Sequence, residues 1–243
     1  MKKSAFFLAA LCSGTLLLAS CNSDKAADTT ATGTDTNTMA MDSSASGNMA
    51  GMDHANMGNG AAGESSLLAS MNGMMSRMDA MKMKGNTDHD FAHMMLEHHK
   101  GAVAMADLEL RDGKDATMRR MAEQIKADQL REITALEAAA TRLDAAPTNY
   151  QPTNAADPFT SKMKASMAGM MQNMPKMVAD PDMNFNMLMT VHHQSAVDMA
   201  KAELAHGKDT RLKEMAQRMV DAQQKEIAAF KDWHNQNADK MKM

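Results

Sequence analysis

Aromatic residues make up only 3% of the 243-residue chain, and no basic cluster is interleaved with them, which excludes a nucleic-acid partner. There are two cysteines, Cys12 and Cys21, both close to the N-terminus. Beyond Cys21 there is no thiol for a disulfide or a thiolate ligand, so a metal there must be held by His, Met or carboxylate. No run after Cys21 is long and apolar enough to cross a bilayer. No acid/base pair or nucleophile constellation is visible either, so the chain is not expected to be an enzyme. The formal charge is a modest −4.

What is present begins with a leader. Lys2 and Lys3 precede an apolar run from Ala5 to Leu18, the charge order of a secretory signal. The run ends in Leu18-Ala19-Ser20-Cys21, which resembles the lipobox of bacterial lipoproteins. That resemblance implies a signal peptide at 1–20, cleavage before Cys21, lipidation of Cys21 and a membrane anchor in the cell envelope, with the protein facing the periplasm or the exterior.

Methionine is the second excess, at 31 residues. It is soft, unbranched and helix-compatible, so most of these residues read as a pliable helical core. Residues 21–65 differ: they are rich in Ser, Thr, Asp, Asn, Gly and Ala without periodicity, the signature of a disordered tether. Met49, Met52, His54 and Met57 sit in that tether, where packing gives no reason for them, and they are weaker candidate metal ligands.

From Ser66 the chain is helical and repeats itself. Phe91, Met95, His98, His99, Met105 and Glu109 recur 94 residues later as Phe185, Met189, His192, His193, Met199 and Glu203. The same offset holds through Gly113-Lys114-Asp115 and Gly207-Lys208-Asp209 and on to Gln129/Gln223 and Glu132/Glu226. Each copy reads as a short Met-rich helix followed by a helical hairpin. The organisation is repeat 1 at 66–144, a Pro-containing linker at 145–157, repeat 2 at 158–235 and a tail at 236–243. Thr87 or Asp88 is expected to cap the second helix, Gly113 to end it, and Asp115 to cap the third.

Phe91, Met95, His98, Ala102, Met105 and Glu109 are spaced as a packed seam, which buries His98 and leaves His99 at the seam's edge. Folding the hairpin about Gly113 sets His98 near Gln129; the second copy sets His192 near Gln223. Gln129, Glu132, Gln223 and Glu226 are therefore expected to support the imidazoles from the facing helices. Two adjacent histidines in each copy are costly to bury unless satisfied, which favours a binding site over structural histidines. Imidazole with thioether and no thiolate suits copper, as Cu(I) or Cu(II), with zinc ranking second. A di-iron site would need Glu-x-x-His in both copies; Glu203-x-x-His206 matches it, but Asp112 stands at the equivalent place after Glu109.

The pattern D-x-x-F-x-x-x-M-x-x-H-H-x-x-A-x-x-M-A spans Asp88–Ala106 and again Asp182–Ala200, followed each time by Q-x-x-E-I. It resembles the Domain of Unknown Function 305 family. The resemblance implies an all-α, ferritin-like helical bundle and a link to copper binding and tolerance. It places the candidate ligands at Met95, His98, His99, Met105, Met189, His192, His193 and Met199. The reading is a copper-binding envelope lipoprotein that sequesters or transfers the ion, with an envelope metal-transport partner of unknown identity. Its alternative is a non-metal interaction module that docks a partner through the Met-rich helices (Met71 to Met83, Met163 to Met177).

Overall fold

The computed structural model describes residues 65–242; the signal segment, Cys21 and the tether methionines and histidine lie outside the described residues. Six α-helices follow in order: α1 (Ser66–Asp79), α2 (Thr87–Asp112), α3 (Ala116–Leu143), α4 (Pro158–Gln172), α5 (Pro181–His206) and α6 (Thr210–Gln236). The described residues contain no strand, and a 3-10 turn at Ala238–Lys242 ends them. None of these helices is long and apolar enough to cross a membrane.

The helix starts are set by short polar side chains that take up otherwise unbonded backbone N–H groups. Asp115 accepts from Thr117 N and Met118 N, as expected, at 2.9 and 3.1 Å. Asp157, Asp180 and Asp209 do the same for α4, α5 and α6, with Pro158 and Pro181 as first helical residues. At α2 the cap is Asn86, accepting from His89 N at 3.0 Å, rather than Thr87 or Asp88. Asp88 is drawn away by tertiary bonds: its Oδ1 accepts from Lys208 N and Asp209 N, at 2.7 and 2.6 Å, in the turn between α5 and α6. Asp182 returns the favour, accepting from Lys114 N and Asp115 N, both at 2.8 Å. Each hairpin turn is thus held by the other repeat.

That exchange fixes the architecture. α2 pairs with α3 and α5 with α6 as hairpins, while α2 and α5 pack against each other in opposite directions at the centre. α1 covers α2 and α4 covers α5, completing a ferritin-like bundle from two hairpin repeats, each preceded by a Met-rich helix. The core between them is dominated by methionine, with Met71, Met74, Met95, Met105, Met118 and Met183 fully buried. Gly113 and Gly207 end α2 and α5 with extended, not left-handed, backbone. Glycine is needed there for space, since a Cβ would come within 2.2 Å of a Glu109 carboxyl oxygen or 2.1 Å of a Glu203 one.

Candidate metal centre

α2 and α5 each carry their histidine pair at mid-length, so antiparallel packing brings the pairs together. His98 and His192 stack with ring centroids 3.7 Å apart and planes tilted by 36°. Both are fully buried. His192 Nε2 donates to the His98 carbonyl oxygen at 3.0 Å, which fixes its tautomer and leaves Nδ1 with a lone pair. That Nδ1, and both ring nitrogens of His98, have no hydrogen-bond partner among the described residues. Burial first, then the neighbouring imidazoles, holds His98 well below the ordinary histidine pKa. Burial and His193 do the same for His192, so both rings are neutral near pH 7.

His99 and His193 differ from the sequence expectation. They are not at the seam's edge but fully buried, because α2 and α5 are each enclosed by a hairpin partner, a covering helix and one another. Their outward nitrogens meet carboxylates: His99 Nε2 lies 2.8 Å from Glu132 Oε2, and His193 Nε2 2.9 Å from Glu226 Oε2. The carboxylates are about a quarter exposed, at 27% and 22%, so they link the buried rings to the surface. In both repeats Nδ1 of the ring has no partner, and only His99 makes the hydrogen bond to its glutamate; His193 Nε2, though close to Glu226, is not aligned for one. A carboxylate on one imidazole nitrogen raises the basicity of the other, the usual support for a metal-binding histidine.

Gln129 and Gln223 are buried, but the expected bonds to His98 and His192 are not made. Gln129 Oε1 and both amide atoms of Gln223 have no partner among the described residues. α2 and α3 do form the expected hairpin, yet α5, not α3, supplies the ring that stands against His98. Met95, Met105, Met189 and Met199 are fully buried, on the same helix faces as the stacked rings. The centre therefore gathers neutral imidazoles with bare nitrogens in a methionine-rich, water-poor setting, which fits a soft ion better than a hard one.

Two features were not anticipated from the sequence. Met74 of α1 packs its sulfur where Gly101 has no side chain: a Cβ there would lie 2.4 Å from Met74 Sδ. This places a further thioether one helical turn from His98. The second feature is a pair of carboxyl couples. Glu109 is buried beside Asp182, and burial with that neighbour pushes its pKa up to about 8. Burial and Asp88 push Glu203 to about 9. No donor reaches either glutamate, so each keeps its proton and shares it with the aspartate of the other repeat.

A helical bundle with a buried histidine stack and two flanking His–Glu pairs, made by duplication, is the class of protein that fold and site define. The chain belongs to the Domain of unknown function (DUF305) family, which matches residues 21–140 and 88–234. The second match runs through both hairpins. Among curated proteins none matches. Solved structures similar to it include "CopM in the Cu(I)-bound form", 23% identical, with a TM-score of 0.47, covering 61% of this chain and 96% of that one. Another is "CopM in the Ag-bound form (by soaking)", at 23% identity and TM-score 0.47 over 62% and 96%. A DUF305 fragment from Deinococcus radiodurans is 26% identical, with a TM-score of 0.46 over 62% and 96%.

Proposed function

We propose that the protein binds copper in the cell envelope and sequesters it or hands it on, in the service of copper tolerance. The observation that carries this is the His98–His192 stack, fully buried with three ring nitrogens that have no hydrogen-bond partner. Burying such groups costs free energy unless something satisfies them. Imidazole and thioether donors without a thiolate suit Cu(I), and imidazole serves both copper states; zinc ranks lower for want of Cys. His98 and His192 would hold the ion, with Met95, Met105, Met189 and Met199 as soft donors and His99 and His193 oriented by Glu132 and Glu226. The role is binding rather than catalysis. Cleavage before Cys21 and its lipidation would anchor the protein facing the periplasm or exterior, and Met49, Met52, His54 and Met57 would offer weaker ligands on the tether.

An anaerobic Cu(I) titration of the full chain against a chromogenic chelator tests the reading. Because the repeats meet at one stack, His98→Ala and His192→Ala should each weaken binding by more than about 100-fold, beyond the range for residues that only orient a ligand. Circular dichroism of each variant separates ligand loss from unfolding. Equal retention by folded variants, or no copper held by the unaltered protein, rejects the proposal.

A second reading has its own observation. Between α1 and α4 lies a cleft of about 730 Å³ whose lining includes Met75, Met81, Met83, Met163, Met167 and Met171. A flexible thioether surface of this kind can dock an apolar partner. A partner that co-purifies with chelator-treated protein, and is lost when these methionines are replaced, would favour it.

A further inference from the structure

A second group of metal-ligating side chains lies at the N-terminal end of α2, where His89 is nine residues or about 13 Å along the helix from His98. His89 and His93 are four apart and therefore on one face. Their rings lie with centroids 4.4 Å apart, tilted by 50°. Asp144, at the C-terminal end of α3, joins them: one ligand atom from each of the three falls within 4.8 Å of the others. Among the described residues this is the one such group of three His, Cys, Asp or Glu side chains. We propose that His89, His93 and Asp144 form a site for a divalent first-row cation such as Zn(II), distinct from the histidine stack.

Several observations support it. His89 faces a carboxylate on each ring nitrogen: Nδ1 lies 2.8 Å from Asp90 Oδ1, and Nε2 3.3 Å from Asp144 Oδ1. A neutral imidazole carries one N–H, so at one of these two contacts a lone pair faces a carboxylate oxygen, and either a second proton or a cation must lie between them. The carboxylate–histidine–cation order is the usual one at metal sites, where the outer carboxylate fixes tautomer and ring angle. Asp90 is itself firmly held, accepting from Lys84 N at 2.9 Å, Gly85 N at 2.7 Å and Tyr150 Oη at 2.7 Å.

The third ligand is also positioned rather than loose. After α3 the chain straps back over the start of α2: Asn149 N and Tyr150 N donate to Gly85 O, and Asn86 Nδ2 to Pro147 O at 2.7 Å. Gly85 takes φ +92°, open to glycine alone at little cost, and its position fixes the strap. Lys84 Nζ donates to the backbone carbonyls of Leu143 and Asp144, leaving the Asp144 carboxylate turned to His89. In a tetrahedral zinc site with bonds near 2.1 Å, donors sit about 3.4 Å apart. The His89–Asp144 pair already has that separation, and small rotations of His93 and the exposed Asp144 side chain would close the third side. Two imidazoles and one carboxylate leave a fourth position for water, a harder donor set than the thioether-rich centre of the bundle.

The second repeat is an internal control. At the 94-residue offset His89, His93 and Asp144 become Met183, Met187 and Ala238, so the site belongs to the first repeat alone. In the sequence the only sign of it is the four-residue spacing of His89 and His93; Asp144 is brought in by the strap.

The test uses the metal-free full chain, titrated with Zn(II) by calorimetry and with Co(II) by its visible absorption. One more ion should bind to the unaltered protein than to His93→Ala or Asp144→Asn, and both variants should lose the tetrahedral Co(II) bands. Asp144 is exposed, so Asp144→Asn cannot act by unfolding the core. Cu(I) retention by Asp144→Asn should be unchanged, which keeps failure here separate from failure of the copper reading. If either variant takes up Zn(II) and Co(II) as the unaltered protein does, the cluster holds only a proton and the proposal is overturned.

Discussion

In the first repeat Asp90 accepts Lys84 N and Gly85 N; in the second, Asn184 accepts Val178 N and donates to Val178 O, both at 2.8 Å. Both residues pin the loop that enters the central helix, by different chemistry. At Gly101 the first repeat admits the Met74 thioether, while at the equivalent Ser195 the second builds a hydroxyl pair with Ser166 at 3.0 Å. By contrast each copy sets a glutamate within 3 Å of its second histidine, with a hydrogen bond made only in the first, and the Glu–Asp couples are alike in kind. Duplication kept the features of the central hairpins and let the entry loops and the contacts with the covering helices α1 and α4 diverge. The reason is geometric: at the centre each copy packs against the other, so a change in one must suit both.

The largest effect that sharpens this comparison is on pH. Glu109 and Glu203 have folded pKa values of about 8 and about 9 against 4.5 for an ordinary glutamate, so the folded state holds extra protons between these limits. The stability that these two groups contribute is then fullest below about pH 4.5 and is lost as pH rises through about 8 and about 9. Urea unfolding between pH 5 and pH 9.5 should show that decline. Glu109→Gln and Glu203→Gln, whose amides can donate to Asp182 and Asp88, should each flatten it, Glu203→Gln more so. A pH-independent unaltered protein would refute the couples.

Exchanging the divergent position is the next test. Gly101→Ser forces a Cβ against Met74 and should destabilise by about 1–3 kcal/mol. Ser195→Gly loses the Ser166 hydroxyl pairing and should cost about 1 kcal/mol. Thermal or denaturant melts measure both, and tolerance of Gly101→Ser would mean that α1 is free to shift away from α2. The smallest effect is at the surface, where Arg142 Nη1 lies 2.6 Å from Asp209 Oδ2 across the repeats. Arg142 is 40% exposed, so Arg142→Ala should shift stability by less than about 0.5 kcal/mol. A larger loss would show that the repeats depend on surface pairing as well as on the Asp88 and Asp182 exchange.

Periodicity and the constant 94-residue offset by themselves determined the helices, the duplication, the burial of His98 and His192, and the absence of thiolate ligands after Cys21. Those are properties of single helices and of residue type, and local spacing carries them. Which helix stands opposite which is long-range, and a seam of apolar residues looks the same whatever covers it. So only the tertiary structure decided that His98 meets His192 instead of Gln129, that His99 is enclosed and paired with Glu132, and that Asp88 leaves its cap to Asn86 in order to hold the other repeat's turn. It likewise joined Asp144 to His89 and His93 from 51 residues beyond His93, through a strap whose hydrogen bonds no pattern in the sequence displays.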